Sequence, residues 1–251
     1  MSSFDAFARF YHADYGSFCD DLPFYRALLR RAAGPAIELM CGSGRLLTPL
    51  VREGFNVTGV DISPALLAQA KRNLDAAGIG VGMQLQLGDV RQPLSGDPYA
   101  AAFVAINSFM HLATVEDQLA ALRHTHAALR PGGLLALDLF NPDPVDLLRH
   151  DNELVLDKMF ALDDGTLVQK FVAQAVDMAT QTSSVTFIYD ELADQLVRRT
   201  TLAFSMRWLY RYELEHLLAR CGFVLEALYG SYNLDAYDQS SPLMLAVAVS
   251  V

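Results

Sequence analysis

Apolar residues follow two different spacings along the first half of the chain. From Ala36 to Phe140, short continuous apolar runs alternate with segments in which apolar residues recur every three or four positions. The runs are typical of strands buried on both faces, and the wider spacing is typical of amphipathic helices. The predicted strands are Ala36–Met40, Asn56–Asp61, Met83–Gly88, Ala101–Ile106 and Leu134–Phe140, with helices Leu46–Arg52, Pro64–Ala77 and Val115–Leu129 among them. This alternation predicts a parallel sheet covered on both faces.

After Phe140 the pattern changes to segments rich in Val, Thr, Phe and Tyr, separated by the turn sequences D-D-G-T, D-M-A-T-Q-T and A-D-Q. The segments are Leu154–Ala161, Thr166–Ala175, Ser183–Glu191 and Leu196–Met206. They predict two antiparallel hairpins inserted into the α/β fold. A helix over Leu209–Arg220 and strands over Phe223–Gly230 and Leu243–Ser250 then complete seven core strands, of which we expect the last to be antiparallel.

These elements predict one domain covering residues 1–251. An aromatic segment and a helix over Leu22–Ala32 are expected to form an N-terminal helical lid, residues 1–33. Residues 34–140 and 207–251 are expected to form the core, and residues 141–206 an antiparallel β insert that covers the site. With 251 residues and 52% hydrophobic content, the chain can bury a core of this size.

Composition narrows the location and the class of partner. The N-terminal sequence M-S-S-F-D-A-F-A-R-F does not resemble a signal peptide, and no run approaches the roughly 18 apolar residues of a membrane span. We therefore expect a cytoplasmic protein with no membrane partner. The formal net charge of −10 argues against nucleic acid, whose phosphates are neutralised by Lys and Arg, and favours small molecules.

The three cysteines predict no chemistry of their own. Cys19, Cys41 and Cys221 are odd in number and widely spaced, and the chain contains neither C-x-x-C nor H-E-x-x-H. Neither a disulfide framework nor a metal site is predicted.

The segment Ile37–Arg45, I-E-L-M-C-G-S-G-R, joins the first strand to the first core helix. Glycine in such a turn lets backbone N–H groups approach a ligand closely, because no Cβ intervenes. Asp61 closes the next strand, where an acid can accept both hydroxyls of a ribose. An adenosine-containing cofactor is therefore predicted.

A nicotinamide dinucleotide is the main competing cofactor. Its fingerprint, G-x-G-x-x-G, requires a third glycine for close packing of helix against strand. Counting from Gly42, that position is Leu47, which disfavours a dinucleotide.

Five motifs in order resemble those of the class I S-adenosylmethionine-dependent methyltransferases, across about the whole sheet domain. They are the E-L-M-C-G-S-G turn, the acid Asp61, the G-D-V at Gly88–Val90, the I-N-S-F-M-H-L segment at Ile106–Leu112 and the L-R-P-G-G turn at Leu129–Gly133. The chain departs from the family at Met40, which stands where the family has its first glycine.

The resemblance implies a Rossmann-like fold with S-adenosylmethionine as the cofactor, S-adenosylhomocysteine as the product and no metal. It implies that Asp61 holds the ribose, that Asp89 takes the adenine amino group and that Val90 meets the ring through its backbone N–H. The cofactor-binding residues it implies are Glu38, Met40, Cys41, Gly42, Gly44, Arg45, Asp61, Ile62, Asp89, Val90, Asn107 and Ser108.

Transfer of a sulfonium methyl group depends mainly on placing a nucleophile in line with it, and a base matters only when the nucleophile must lose a proton. His111 is the candidate base, because it follows the fourth strand on the ligand side and its ordinary pKa lies near neutrality. Capping of the following helix is the alternative role. Tyr11 and Tyr15, four residues apart in the lid, are candidates to orient the methionine end or the substrate, or to pack the lid onto the sheet.

The candidate substrate residues lie outside these motifs, in the insert, at its return to the core and in the final loop. They are Tyr189, Arg207, Tyr232, Asn233 and Tyr237. Arg207 is the predicted anchor for an anionic group, with a solvated arginine at a helix start as its alternative, and the final loop has an ordinary hairpin connection as its alternative.

Together these features predict a methyltransferase that acts on an N or O atom of a small metabolite as a monomer or homodimer. A nicotinamide-dependent oxidoreductase and a non-catalytic adenosine-ligand-binding protein of the same fold remain alternatives. A peptide or protein acceptor is also left open.

Overall fold

The structure is a computed structural model and describes residues 4–79, 85–96, 98–193 and 196–251. The strands are β1 Ala36–Leu39, β2 Val57–Asp61, β3 Leu85–Leu87, β4 Tyr99–Val104, β5 Leu129–Phe140, β6 Leu154–Ala161, β7 Leu167–Asp177, β8 Thr182–Ala193, β9 Leu196–Arg207, β10 Phe223–Tyr229 and β11 Leu243–Ser250. The α-helices are α1 Ala8–Tyr15, α2 Leu22–Ala32, α3 Leu47–Arg52, α4 Pro64–Ala76, α5 Val115–Ala128, α6 Pro144–Leu148 and α7 Arg211–Arg220, and short 3₁₀ helices cover Asp5–Phe7 and Ser108–His111.

Seven strands form the main sheet in the order β10-β11-β5-β4-β1-β2-β3. Strands β1 to β5 are parallel, and β11 is antiparallel to both β5 and β10. The predicted fold class is confirmed. The chain proceeds outward from β1 through β2 and β3 and then returns to place β4 on the other side of β1, so that a crevice opens at their carboxyl ends.

The sheet is buried on both faces, as its continuous apolar strands require. Ile37 and Leu39 of β1 belong to one buried cluster, whereas Ala36 belongs to the other. Two helices begin with side-chain caps near the carboxyl ends of the parallel strands. The side chain of Ser63 accepts a hydrogen bond from the N–H of Leu66 (3.2 Å), and the side chain of Thr114 accepts one from the N–H of Asp117 (3.1 Å).

The insert differs from the prediction of two hairpins. Strands β6 to β9 form one antiparallel sheet in sequence order, and β7 pairs with β8 from Leu167↔Leu192 to Asp177↔Thr182. The two hairpins are therefore joined along their inner strands. A single hairpin is only marginally stable, and four paired strands supply the buried face that it lacks.

Most predicted boundaries lie within a few residues of the observed ones, and β5 differs most. It begins at Leu129, because Leu129 already pairs with Tyr99 before the register shifts to Ala101↔Leu134. The L-R-P-G-G turn thus forms an irregularity within the strand, with Gly132 at φ 74°. Residues 1–3 of the predicted lid, 83–84 of the predicted third strand and 194–195 of the last insert turn lie outside the described residues.

In the described ranges, no helix is long and apolar enough to cross a lipid bilayer.

Candidate active site

A cavity of about 330 Å³ lies at the carboxyl ends of β1 to β4, at the low end of the usual range for ligand sites. The N-terminal segment and strands β8 and β9 close its other side. Its lining residues are Phe4, Phe7, Tyr11, Tyr15, Met40, Gly42, Asp61, Ile62, Leu66, Gly88, Asp89, Val90, Arg91, Ile106, Asn107, Ser108, His111, Leu112, Phe187, Leu202, Phe204 and Met206.

The turn after β1 has an unusual backbone. Met40, Gly42 and Gly44 have φ values of 58°, 56° and 74°, in the left-handed region that favours glycine. Met40 adopts this conformation despite its side chain, which lines the cavity and packs against the core. At Gly42, a Cβ would lie 3.0 Å from a ring carbon of Tyr11, so glycine allows the N-terminal helix to close on the turn.

Leu47 has a structural role that explains the missing third glycine. It is fully buried at the start of α3, and a Cβ added to Gly59 of β2 would lie 2.5 Å from its Cδ1 atom. The close approach of helix and strand is therefore permitted by a glycine on the strand. The dinucleotide fingerprint places that glycine on the helix.

Asp61 links the turn to the next helix. Its Oδ2 accepts a hydrogen bond from the N–H of Gly42 and its Oδ1 from the N–H of Ser63, both at 2.8 Å. Burial raises the pKa of Asp61, and the backbone donors oppose that shift. A carboxylate can accept about four hydrogen bonds, so Asp61 retains acceptor capacity toward the cavity.

Glu38, Cys41, Gly44 and Arg45 are absent from the cavity lining and lie behind it. Burial raises the pKa of Glu38 to about 8, and its Oε2 finds no hydrogen-bond partner within the described ranges. Arg45 instead forms a buried ion pair with Asp21, with a 2.6 Å contact from Nη2 to Oδ2. This pair holds the glycine turn against the segment before α2.

Asp89, Val90 and Ile62 line the side of the cavity next to β3. Both oxygens of Asp89 are bound by Arg91, whose Nη2 lies 2.6 Å from Oδ2. The hydrogen bonds from Arg91 lower the pKa of Asp89, so the carboxylate is ionised. Ile62 keeps 46% of its surface exposed, which leaves an apolar surface for a ligand at the cavity mouth.

The end of β4 contributes a second strained turn. Ile106 and Asn107 both have positive φ values, 44° and 57°. The N–H of Ile106 donates to Asp138 Oδ2 (3.1 Å), and Asn107 Oδ1 accepts from the N–H of Phe140 (2.6 Å). These bonds from β5 hold the backbone in place and direct the 3₁₀ helix beginning at Ser108 toward the cavity.

His111 ends this 3₁₀ helix. Its ring meets Phe4 edge-on at 5.4 Å between centroids and Phe204 at 4.9 Å. Nδ1 is shielded from solvent and lacks a hydrogen-bond partner among the residues the structure describes. Burial lowers the pKa of His111 to about 4, so the imidazole is neutral at neutral pH and a weaker base than its unperturbed pKa implied.

Tyr11 and Tyr15 lie side by side on α1, with ring centroids 5.0 Å apart, and both line the cavity. Burial raises the pKa of Tyr11, so its phenol stays protonated. Behind Tyr15, the Nζ atom of Lys170 lies 3.4 Å from the phenol oxygen and 4.2 Å from the ring centroid of Phe187.

The sequence reasoning missed most of the cavity's apolar wall, which includes Phe187 from β8 and three residues from β9. The alternation of large apolar and small residues in β9 could have indicated this wall. Leu202, Phe204 and Met206 alternate with Ala203 and Ser205, so all three side chains project from one face of their strand.

The predicted substrate residues are not brought to the cavity. Tyr189 is fully buried and stacks on Phe10 at 4.5 Å. The guanidinium of Arg207 is buried, donates to Gln118 Oε1 (2.9 Å) and forms an ion pair with Glu213. It therefore contacts protein groups at the position where we predicted a substrate anion.

The final loop is tied to the end of β5. Tyr232 donates to Asp138 Oδ2 and Tyr237 to Asn141 Oδ1, both at 2.7 Å. The backbone N–H of Asn233 donates to Ser231 (3.1 Å) within the loop itself. Through Asp138, Tyr232 supports the turn at Ile106 from behind.

Comparison with known proteins identifies similar sequences and folds. The family model described as "Methyltransferase domain" matches residues 36–133. A ubiquinone biosynthesis O-methyltransferase of Xanthomonas axonopodis pv. citri is 29% identical over 123 residues, 49% of this chain and 50% of that protein. The match thus spans about half the length of this curated relative.

Two solved structures match over nearly their full length. The CcbJ methyltransferase of Streptomyces caelestis is 24% identical with a TM-score of 0.77, over 92% of this chain and 89% of that one. CalS10 of Micromonospora echinaspora, an amino pentose methyltransferase with S-adenosylmethionine bound, is 20% identical with a TM-score of 0.73, over 98% and 97%. At these identities the structures establish a shared fold.

Proposed function

We propose that this chain is a class I S-adenosylmethionine-dependent methyltransferase, which its match to the methyltransferase domain model and its fold support, and that it transfers a methyl group from S-adenosylmethionine to a nitrogen or oxygen atom of a small metabolite. The observation that carries the proposal is the cavity itself. It joins the glycine turn, Asp61 and the end of β4 to an aromatic wall in one cavity. Similarity to an amino pentose methyltransferase and to ubiquinone O-methyltransferases supports a small acceptor.

The cavity's residues fit an adenosine-containing sulfonium cofactor. Gly42 and Asp61 lie together at the carboxyl ends of β1 and β2, where a nucleoside and its ribose bind in folds of this kind. Ile62 and Val90 offer apolar contacts for a flat base, and Asp89 offers an acceptor for an exocyclic amine. When bound, S-adenosylmethionine supplies an electrophilic methyl group that needs no metal for its transfer, and S-adenosylhomocysteine is the product.

The protein's task is to orient the acceptor and exclude water. Phe4, Phe204 and His111 contact one another in the cavity wall. A neutral His111 has one ring nitrogen that accepts a hydrogen bond from the acceptor's N–H or O–H group. As the nucleophile's lone pair forms the new bond, the proton moves toward that nitrogen. Orientation of this kind supplies roughly 7–11 kcal/mol of a barrier.

Two measurements test the proposed function. Calorimetry should detect S-adenosylmethionine and S-adenosylhomocysteine binding well below millimolar concentration. Mass spectrometry of a metabolite panel with methyl-labelled cofactor should then show a product that carries the labelled methyl group. Absence of cofactor binding contradicts the proposal, and binding without turnover on any acceptor favours the non-catalytic alternative.

His111→Phe is expected to lower kcat by about 10²-fold, the lower range for a group that accepts a proton in the transition state. The affinity for S-adenosylhomocysteine should be nearly unchanged, because phenylalanine keeps an aromatic ring at this position and loses the hydrogen-bonding nitrogens. His111→Gln, which keeps an acceptor atom, should retain more activity than His111→Phe. Equal kcat in wild type and His111→Phe would exclude a catalytic role for the imidazole nitrogens.

Wild type and His111→Phe should also differ in how their free energy of unfolding depends on pH. The folded pKa of His111 is about 4, below the roughly 6.5 of an unfolded histidine, so the unfolded chain binds the proton first as the pH falls. Wild type should therefore lose stability relative to His111→Phe between about pH 6.5 and pH 4. Urea unfolding at pH 7 and pH 5 measures this difference.

A further inference from the structure

The part of the cavity formed by strands β8 and β9, Phe4 and His111 is almost entirely apolar. We call the following residues the roof: Phe4, His111, Phe187, Leu202, Phe204 and Met206. They form one continuous surface, since Phe204 lies 4.9 Å from both Phe187 and His111, measured between ring centroids. The only hydrogen-bonding side chain in the roof is His111.

The charged side chains on the described cavity lining are already paired. Asp61 binds backbone N–H groups, and Asp89 binds Arg91. Arg91 reaches Asp117 as well, at 3.3 Å. Arg91 is the only cation among the described lining residues, and no positive charge from it remains uncompensated for an acceptor.

Two buried cations outside the cavity lining, Lys170 and Arg207, are also neutralised. Lys170 is 3% exposed and lies 2.8 Å from carboxylate oxygens of both Asp14 and Asp157. The guanidinium of Arg207 is paired with Glu213. A phosphate or carboxylate placed under the roof would therefore lose its hydration without gaining a cation, and this desolvation is costly.

The roof's rings suit the opposite kind of ligand. Aromatic side chains bind flat apolar groups by stacking and edge contacts. His111 lines the cavity, and its Nδ1 is shielded and without a partner in the described part of the chain, so this ring is the group of the roof that can accept one N–H or O–H group.

We infer that the acceptor is an uncharged, largely hydrophobic amine or alcohol, phenols included, which binds under the roof and donates its N–H or O–H to His111. This inference rests on the proposed function and adds its substrate class. The methyl carbon's bond to sulfur breaks with its electron pair remaining on sulfur. The acceptor's lone pair forms the new bond to carbon, and its proton passes to His111 and then to solvent.

Matched probes test the inference in protein saturated with S-adenosylhomocysteine. The first pair is 4-methylphenol and 4-hydroxybenzoate, and the second is 4-methylaniline and 4-aminobenzoate, so each pair differs only by a methyl or carboxylate group. By calorimetry we expect the uncharged member of each pair to bind about 100-fold more tightly, the effect of one unpaired buried charge.

Leu202→Arg adds a cation to the roof and should narrow or reverse this preference, whereas Leu202→Met should preserve it. Equal or tighter binding of the carboxylates by wild type overturns the inference. So does failure of both uncharged probes to bind a protein that holds S-adenosylhomocysteine. These wild-type results decide the matter even if Leu202→Arg does not fold, and a protein that binds no S-adenosylhomocysteine contradicts the proposed function instead.

Discussion

Replacement of Lys170 by methionine is expected to lower the free energy of unfolding by about 3 kcal/mol, the lower end for breaking a buried ion pair. The ammonium group lies between α1 and the small sheet, 2.8 Å from both Asp14 and Asp157. Burial alone lowers the pKa of Lys170, but Tyr15 and the two carboxylates outweigh it, so the pKa is raised and the lysine is charged. Without it, the buried carboxylate of Asp14 keeps Lys158 as its one ion-pair partner among the described residues.

Urea unfolding at pH 7 measures the effect, and two further variants interpret it. Lys71→Met removes an exposed lysine paired with Asp75 and should cost less than about 1 kcal/mol. Asp14→Asn combined with Lys170→Met removes both buried charges and should recover part of the loss. A Lys170→Met protein as stable as Lys71→Met would show that the buried pair contributes nothing.

The same substitution should weaken binding of S-adenosylhomocysteine. Lys170 supports Tyr15 and Phe187 from behind, and both of those rings line the cavity. If stability falls while affinity does not change, the position of these two rings has no influence on the cofactor.

The main sheet was predictable because each of its strands is recognisable from the apolar pattern of neighbouring residues. Strands such as Tyr99–Val104 are apolar at consecutive positions, as a strand buried on both faces requires. The turn after β1 was predictable for a similar reason, since Gly42, Gly44 and Asp61 stand at fixed places relative to two strands. Met40 was visible as a departure, although its positive φ required the structure.

The roof was less predictable because it depends on how two elements meet. The alternation of Leu202, Phe204 and Met206 identifies one face of a strand, but it does not say which surface that face covers. Arg207 illustrates the same limit. Its partner Gln118 is 89 residues away along the chain, so no local pattern indicates that the guanidinium is bound by the protein itself.

Asp61→Asn is expected to weaken S-adenosylhomocysteine binding by roughly 100-fold or more. The carboxylate organises the glycine turn through the N–H of Gly42 and is proposed to accept the ribose hydroxyls as well. Each hydrogen bond to a charged group contributes about 1.5–3 kcal/mol, and about 1.4 kcal/mol corresponds to tenfold in affinity. Asparagine has nearly the shape of aspartate, but its N–H₂ group would face the N–H of Gly42 or Ser63, so that one of these two hydrogen bonds is lost. Calorimetry measures the loss, with the exposed Asp75→Asn as the control.

Two ligands that differ in their ribose hydroxyls can separate the role of Asp61 in the glycine turn from its proposed role in binding the ribose. Adenosine and 2′,3′-dideoxyadenosine differ only in the ribose hydroxyls, so wild type should bind adenosine more tightly, and Asp61→Asn should lose most of that preference. If Asp61 serves the turn alone, the substitution weakens both ligands by the same factor, because the Gly42 contact does not depend on the hydroxyls. A preserved preference would therefore remove the ribose assignment while leaving the turn's dependence on Asp61 intact. An unchanged affinity for both ligands, in a variant with the wild-type circular dichroism spectrum, would exclude both roles.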